Sequence, residues 1–150
     1  MAALSGATLR DAVSSTGNRY SPLPSNQVGH LNQLVTLGTA AVGNAGSLLV
    51  GYLPKGALVT DAKLSITDVD TGAAFVCALG DADSLSRFIN QGTVGQSAGT
   101  LRSGNDATSS ALMAALTPYT AEKGVFFSTI TAAATAAAGT AMIDISYITP

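Results

Sequence analysis

Apolar and polar residues alternate along several short stretches of this chain, with the period of two that is typical of β-strands. The clearest case is residues 53–67, "LPKGALVTDAKLSIT", where Pro54-Lys55-Gly56 predicts a turn and the following residues predict a strand. The pattern divides that strand into two faces. One face carries Leu58, Ala62, Leu64 and Ile66, and the other carries Val59, Asp61, Lys63 and Ser65.

Five other segments predict strands: residues 30–39, 47–53, 73–79, 125–132 and 140–148. The last strand places Ala141, Ile143, Ile145 and Tyr147 on one face, and Met142, Asp144, Ser146 and Ile148 on the other. Small residues at 133–139 connect the last two segments. We expect these two strands to pair as an antiparallel hairpin.

The remaining segments are turns or less regular. Residues 68–72 and 80–83 predict turns, and residues 84–89 predict one helical turn with Asp83 as its N-cap. Residues 90–110 are rich in Gly, Ser, Asn and Gln, which indicates either a long loop or weak strands. Periodicity does not decide between strand and helix for residues 111–116.

Residues 1–27 differ in composition from the rest of the chain, because they are polar and rich in Ser, Gly, Asn and Pro. Residues 8–13 predict a turn or two of helix, whereas Pro22 and Pro24 impose an extended backbone on residues 19–26. Two interpretations remain open: a flexible tail, or an arm that becomes ordered on a neighbouring subunit. We expect an N-terminal arm over residues 1–27 and one domain over residues 28–150.

Several short strands separated by turns, with no long amphipathic helix, predict an all-β fold. We expect an antiparallel β-sandwich or a jelly-roll-like barrel that carries an extended N-terminal arm. Strands that alternate with helices of ten or more residues are absent from the pattern, so a parallel sheet is not expected.

Composition changes this picture in one respect. Hydrophobic residues make up 47% of the 150 residues, enough for a core, but charged residues make up only 11%, against roughly 25% in ordinary soluble domains. A surface with so little charge repulsion suits a member of an assembly. The net charge of −2 predicts no nucleic-acid binding. No apolar stretch approaches the roughly 20 residues of a membrane span, and no secretory signal is recognised, so we expect a cytosolic site of synthesis or assembly.

Residues able to do chemistry are few. His30 is the single histidine, and without a predicted partner it is expected to be structural or solvent-exposed. Cys77 is the single cysteine, which excludes an internal disulfide, and its place in an apolar strand indicates a small buried hydrophobe. One His and one Cys make a zinc site improbable, and no phosphate loop or nucleophile elbow is present. We therefore predict a protein that is not an enzyme and holds no cofactor.

Two pairs of aspartates, Asp68 with Asp70 and Asp81 with Asp83, lie in turns on either side of the strand predicted at residues 73–79. The length of that strand would separate the pairs by roughly 20 Å, so the four carboxylates cannot share one metal ion. Each pair alone has the composition of a weak cation site, but Asp is also a favoured turn residue. We predict a role in turns and no metal.

The order of the turn motifs resembles that of small virion proteins from tailed bacteriophages. The residues that carry this resemblance are Leu53-Pro54-x-Gly56-Ala57-x-Val59-x-Asp61-Ala62, Thr71-Gly72, Gly80-Asp81-Ala82-Asp83 and Arg87-Phe88-Ile89. The C-terminal part, Gly139-Thr140-x-x-Ile143-Asp144-Ile145-x-Tyr147, is similar to theirs as well. The resemblance covers roughly residues 50–150. It lies in the residue composition and in the order of the motifs rather than in an invariant signature.

The resemblance implies a decoration (cement) protein on the capsid exterior, assembled in the host cytoplasm, that bridges neighbouring major capsid subunits. It implies a β-sandwich or jelly-roll-like fold and a homo-oligomer, with a trimer favoured. It transfers no catalytic residue. Two alternatives remain open: a tail, fibre or adaptor subunit of the same virion, and a carbohydrate- or receptor-binding β-domain. Scattered tyrosines and the lack of Trp count against the sugar-binding alternative.

Overall fold

The computed structural model describes residues 28–103 and 116–149. The predicted arm at residues 1–27 and most of the undecided segment 111–116 lie outside these residues. Eight strands occur in the described part of the chain: β1 (Val28–Leu37), β2 (Gly46–Leu53), β3 (Leu58–Ile66), β4 (Val76–Asp81), β5 (Ile89–Gly92), β6 (Gly99–Arg102), β7 (Lys123–Thr131) and β8 (Gly139–Ile148). A four-residue helix, α1 (Thr39–Val42), follows β1, and a 3-10 turn (Val94–Gln96) follows β5.

The strands form two antiparallel sheets of four, ordered β1-β8-β3-β6 and β2-β7-β4-β5. Strands pair in a nested way, β1 with β8, β2 with β7, β3 with β6 and β4 with β5. This is the order produced when one long antiparallel ribbon of four strand pairs rolls up so that successive pairs alternate between two sheets. The fold is therefore a jelly roll, which confirms the predicted antiparallel β-sandwich class.

The core lies between the two sheets and is built from alternate residues of the long strands. Along β8 the alternation is as predicted: Ala141, Ile143, Ile145 and Tyr147 are buried, while Met142 is exposed and Asp144, Ser146 and Ile148 are half-buried. The largest completely buried side chains also include Phe75, Phe88, Phe127, Leu37 and Leu53. No helix in the described residues is both long and apolar enough to cross a membrane.

The turn that precedes β3 has the predicted form. Gly56 has a φ of +84°, a value that L residues with a side chain rarely adopt, and the Ala57 N–H donates to the Pro54 carbonyl at 3.1 Å. The predicted faces of β3 are wrong at its beginning, however. Val59 pairs with Tyr147 and Asp61 with the next residue, Ser146, so Thr60 is the extra residue of a β-bulge. The bulge turns Val59 into the core, where it is only 4% exposed, and leaves Leu58 half-buried.

The predicted hairpin at the C-terminal side of the chain is also wrong. β7 and β8 belong to different sheets, and the connection at residues 132–138 crosses from one sheet to the other. Closeness in sequence suggested the pairing, but each strand has a long partner elsewhere: β7 lies between β2 and β4, and β8 lies between β1 and β3.

Three local predictions change as well. Residues 84–88 form an irregular turn rather than a helical one and Ile89 already belongs to β5, and Asp81 rather than Asp83 accepts the backbone N–H groups there. The segment that begins at residue 90 contains the last three residues of β5, the 3-10 turn and β6, which confirms weak strands for its described part. The helix α1 was not predicted, because four residues carry no helical period.

Candidate functional site

His30 lies on the outer face of the first sheet, where the pairing of β1 with β8 brings two polar side chains to it. Its Nδ1 is 3.2 Å from the Ser146 hydroxyl oxygen and 3.5 Å from Asp144 Oδ1. These are the residue types of a catalytic triad, but a triad needs the carboxylate and the hydroxyl on opposite ring nitrogens. Here both partners face the same nitrogen, on an open sheet surface with the His30 side chain 57% exposed. The arrangement orients a surface histidine and does not activate Ser146.

Cys77 lies on β4 inside the core, as the sequence indicates. Its thiol is buried and donates to the Gly92 carbonyl oxygen at 3.4 Å. Burial raises the pKa of the thiol to about 12, which leaves almost no thiolate at neutral pH. Because the thiolate is the reactive form, Cys77 is not a nucleophile in the folded protein.

We expect this difference to be measurable with an aromatic disulfide reagent. At pH 8 the folded protein should react at least roughly a thousand-fold more slowly than the protein in 6 M guanidinium, because burial removes both access and thiolate. Stopped-flow absorbance gives both rates. Reaction of the native protein at the rate of a free thiol would contradict the buried position of Cys77.

Asp70 occupies the end of the sandwich at which β3 ends and β8 begins. Its side chain has no solvent exposure and accepts five backbone N–H groups. The N–H groups of Gly72 (2.8 Å), Ala74 (2.7 Å) and Phe75 (2.7 Å) belong to the β3–β4 connection. Those of Ala134 (3.2 Å) and Thr135 (2.9 Å) belong to the β7–β8 connection. The Asp70 carboxylate thus hydrogen-bonds to both the β3–β4 and the β7–β8 connection, each of which crosses between the sheets.

The ionisation state of Asp70 follows from these hydrogen bonds. Burial by itself raises the pKa of Asp70, but the N–H groups donated by Thr135, Gly72, Ala74 and Phe75 outweigh burial and hold the pKa well below its usual range. The carboxylate is therefore ionised at neutral pH, and both of its oxygens are already occupied by the protein itself. Asp68, which is exposed, accepts the Asp70 N–H at 3.2 Å.

Asp81 and Asp83 lie at the opposite end of the sandwich, as the length of the intervening strand predicts. Asp81 is buried and accepts the Tyr119 hydroxyl at 2.6 Å and the N–H groups of Asp83 and Ser84, and it forms an ion pair with Arg87 at 3.0 Å. Burial and the adjacent Asp81 carboxylate raise the pKa of Tyr119, so the phenol stays protonated as a donor.

Asp83 is exposed and forms an ion pair with Lys123 at 2.8 Å, which lowers the pKa of its carboxyl group. The described residues include no cluster of three or more His, Cys, Asp or Glu side chains that could hold a metal ion. In the geometry observed, Asp68, Asp70 and Asp81 accept backbone N–H groups of turns and connections.

The exposed apolar side chains mark two surfaces of the sandwich. On the outer face of the first sheet, Leu34 and Met142 are directly cross-strand and are 55% and 39% exposed. Val28, also exposed, lies farther along the same face opposite Ile148. We call this the Leu34–Met142 surface. A second set, Leu48, Leu49, Leu85 and Ile130, surrounds the beginning of β2 in the second sheet.

The fold defines a class, the antiparallel jelly-roll β-sandwich, and in the described part of the chain exposed apolar side chains lie on its surface. No protein-family model matches the chain, and no curated protein matches it. Solved structures do match. A chain in the capsid of Ralstonia phage GP4 superposes with a TM-score of 0.72 and 21% sequence identity, over 93% of this chain and 96% of that one.

Two further solved structures share the fold. In the cyanophage Pam1 capsid asymmetric unit, a chain matches with a TM-score of 0.64 and 24% identity, over 91% of this chain and 96% of that one. In the acid-stable capsid of Helicobacter pylori bacteriophage KHP30, a chain matches with a TM-score of 0.54 and 14% identity, over 82% of this chain and 89% of that one. All three likenesses extend over most of both chains, so the whole fold is shared rather than one motif.

Proposed function

We propose that this protein is a structural component of a phage virion that decorates the outside of the capsid and stabilises it by bridging major capsid subunits. The observation that carries the proposal is the match of nearly the whole chain to a chain of the GP4 capsid. Pam1 and KHP30 support it, because three phage capsids contain chains of the same fold. Fold alone does not establish a role, but the exposed apolar surfaces of this protein support contact with neighbouring subunits.

Bridging capsid subunits through an oligomer requires two separate contact surfaces on each copy, one for sister copies and one for the capsid. The Leu34–Met142 surface lies on the first sheet, and the apolar set around Leu48, Leu49, Leu85 and Ile130 lies on the second. Apolar groups that stay exposed on two sheets suit contact with two kinds of neighbour, sister copies at the Leu34–Met142 surface and the capsid at the second set. Because the chain carries few charges, such contacts bury few ions that would need partners.

Weak contacts are sufficient for firm attachment to a capsid if each oligomer makes several of them. After the first contact forms, the second forms at a high effective concentration, so the overall affinity exceeds that of either contact alone. In this proposal the protein acts without catalysis or cofactor, on the exterior of particles assembled in the host cytoplasm. Its direct partners are the major capsid protein and other copies of itself.

Capsids assembled without this chain provide the test. Purified protein is added to them, and the particles are imaged by cryo-electron microscopy before and after mild heating. We expect added density on the outer surface between major capsid subunits, and more intact particles after heating. Density on the tail would replace the proposal with a tail subunit, and particles that bind no protein would overturn it.

Self-association is proposed to use the Leu34–Met142 surface and to give a trimer. We expect Leu34→Asp to weaken association by about tenfold or more, because it places a charge in the apolar contact. Sedimentation velocity then shows a shift from trimer to monomer at the same concentration. Thr36→Asp is the matched control: it adds the same charge two residues away on the same exposed face and should leave the mass unchanged. A wild-type protein that sediments as a monomer would contradict the trimer.

A further inference from the structure

The described residues form four edge strands, β1 and β6 in the first sheet and β2 and β5 in the second. Three of these edges carry features that discourage the addition of another strand. β2 has a bulge between Leu49 and Gly51, β5 has four residues with a φ of +51° at Gln91, and β6 has four residues and ends at Arg102. β1 differs from all three: its ten residues pair with β8 in an unbroken register and include no proline, lysine, arginine, aspartate or glutamate.

The backbone of β1 presents unused hydrogen-bonding groups at this edge. The Ser146 carbonyl on β8 accepts the Thr60 hydroxyl of β3 at 3.2 Å, so the backbone of Ser146 faces β3 rather than β1. Its partner His30 therefore turns its own backbone N–H and C=O to the free edge. Alternate residues of a strand face the same way, and the Leu34 carbonyl indeed accepts only its neighbour's side chain, the Gln33 amide at 3.0 Å. The edge-facing residues that follow from this alternation are Val28, His30, Asn32, Leu34 and Thr36.

The side chains of these edge-facing residues have a symmetrical order on the outer face of the sheet. Val28 and Leu34 are apolar and 57% and 55% exposed, and His30 and Asn32 between them are polar and exposed. Read at every second residue, the order is apolar, polar, polar, apolar. A strand with this order is complementary to an identical strand that runs in the opposite direction, because apolar residues again lie opposite apolar ones and polar residues opposite polar ones.

We propose that β1 pairs with β1 of a second copy, antiparallel and about a two-fold axis at Leu31. In this register Val28 lies opposite Leu34 of the second copy, and His30 lies opposite Asn32. Every edge-facing residue from 28 to 34 is then opposite another edge-facing residue, so each such pair can exchange two N–H···O=C hydrogen bonds.

The residues next to the axis are compatible with this pairing. The Val28 N–H of the second copy would take the place of the Gln33 amide on the Leu34 carbonyl. Gln33 itself would lie opposite Gly29, which has no side chain to obstruct it. No aspartate, glutamate, lysine or arginine of one β1 meets another, because β1 contains none of them.

The register also joins apolar residues that are separate in one copy. Within one sheet, Leu34 lies beside Met142 and Val28 lies beside Ile148. Across the proposed contact, Met142 and Leu34 of one copy continue into Val28 and Ile148 of the other, and the two-fold axis repeats this row. A shift of the register by two residues would place Leu34 opposite His30 and remove both rows. The proposed register is therefore the one in which both exposed apolar residues of β1 gain apolar partners.

This contact is additional to the proposed trimer. A strand added beside β1 covers its backbone edge and leaves the outer face of Leu34 and Met142 open. On a capsid the pairing would link neighbouring trimers two by two, whereas one pair of strands is only weakly stable in dilute solution. The inference concerns contact between copies and holds whether or not the protein decorates a capsid.

Cysteine variants mixed in equal amounts test the register. His30→Cys and Asn32→Cys place thiols at exposed positions whose Cα atoms would be about 5.5 Å apart, within disulfide range. After mild oxidation of concentrated protein, we expect at least about tenfold more disulfide-linked heterodimer than either homodimer, measured by intact mass. Cys77 can stay in place because it is buried and unreactive.

His30→Cys mixed with Thr36→Cys is the matched control for the cross-link. Both positions are exposed on the same face, but the proposed register separates them by four residues. Homodimers of Asn32→Cys as the main product would overturn the register. Equal cross-linking in the test and control mixtures, or no disulfide in either, would overturn the pairing.

Hydrogen exchange measured by mass spectrometry tests the pairing without a cross-link. We expect amides of residues 30–34 to exchange at least about tenfold more slowly in concentrated than in dilute protein. Asn32→Pro should remove this dependence, because the Asn32 N–H faces the edge and its loss leaves the β1–β8 hydrogen bonds intact. Thr36→Pro, also edge-facing but outside residues 28–34, should keep it. Equal exchange of the wild type at both concentrations would overturn the pairing, since fast exchange then indicates a bare edge and slow exchange an edge covered within one chain.

Discussion

We expect Asp70→Asn to lower the melting temperature by on the order of 10 °C. The amide keeps the shape of the carboxylate but replaces one acceptor oxygen with an NH₂ group. Two N–H groups face Oδ1 and three face Oδ2, so either orientation of the amide leaves buried donors without an acceptor. Differential scanning calorimetry at pH 7 measures the change. Asp68→Asn is the control, because Asp68 is exposed and accepts a single N–H.

The same substitution predicts a change in pH dependence. The folded state depresses the pKa of Asp70, so this carboxylate contributes stability fully above the unfolded value of about 3.9. That contribution is lost progressively as pH falls below about 4 towards the folded pKa. The difference in melting temperature between wild type and Asp70→Asn should therefore shrink in acid. A difference that stays constant from pH 7 to pH 2 would show that the charge of Asp70 is not the cause.

Gly80→Ala has the second largest expected effect, a loss of about 3 kcal/mol in the free energy of unfolding. A Cβ atom at Gly80 would lie 2.1 Å from the Ser84 carbonyl oxygen and 2.3 Å from the Leu85 carbonyl carbon. Both are backbone atoms of the turn that folds back over β4, held there by the Phe88 N–H donating to the Leu79 carbonyl at 2.9 Å. The turn must move, and Leu85 moves with it. Urea denaturation followed by circular dichroism measures the loss.

Gly38→Ala is the matched control for that substitution. An added Cβ at Gly38 meets no atom within 4 Å, and the backbone there, with φ −75° and ψ 163°, suits any residue. We expect a change within about 0.5 kcal/mol. If Gly80→Ala proves equally neutral, the turn does not pack against β4 as closely as the structure shows.

Some contacts of the candidate residues follow from the local sequence, whereas others depend on residues far away in the chain. The sequence indicates that Asp70 and Asp81 belong to turns, because Asp is favoured where a side chain accepts nearby backbone N–H groups. It does not show that Asp70 also accepts from Ala134 and Thr135, more than sixty residues away. The contact of His30 with Ser146 likewise depends on the register of β1 against β8 and carries no local signal.

The alternation of residue types by itself determined that the protein is all-β, where most strands lie and which face of β8 is buried. The local sequence Pro54-Lys55-Gly56 also determined the turn at Gly56, because a positive φ there needs glycine. Tertiary structure alone decided which strands pair, the bulge at Thr60 that brings Val59 into the core, and the separation of β7 from β8. A period of two records that one face of a strand is buried, but it does not record which strand lies beside it. That choice depends on the packing of the whole core, in which partners distant in sequence compete with near ones.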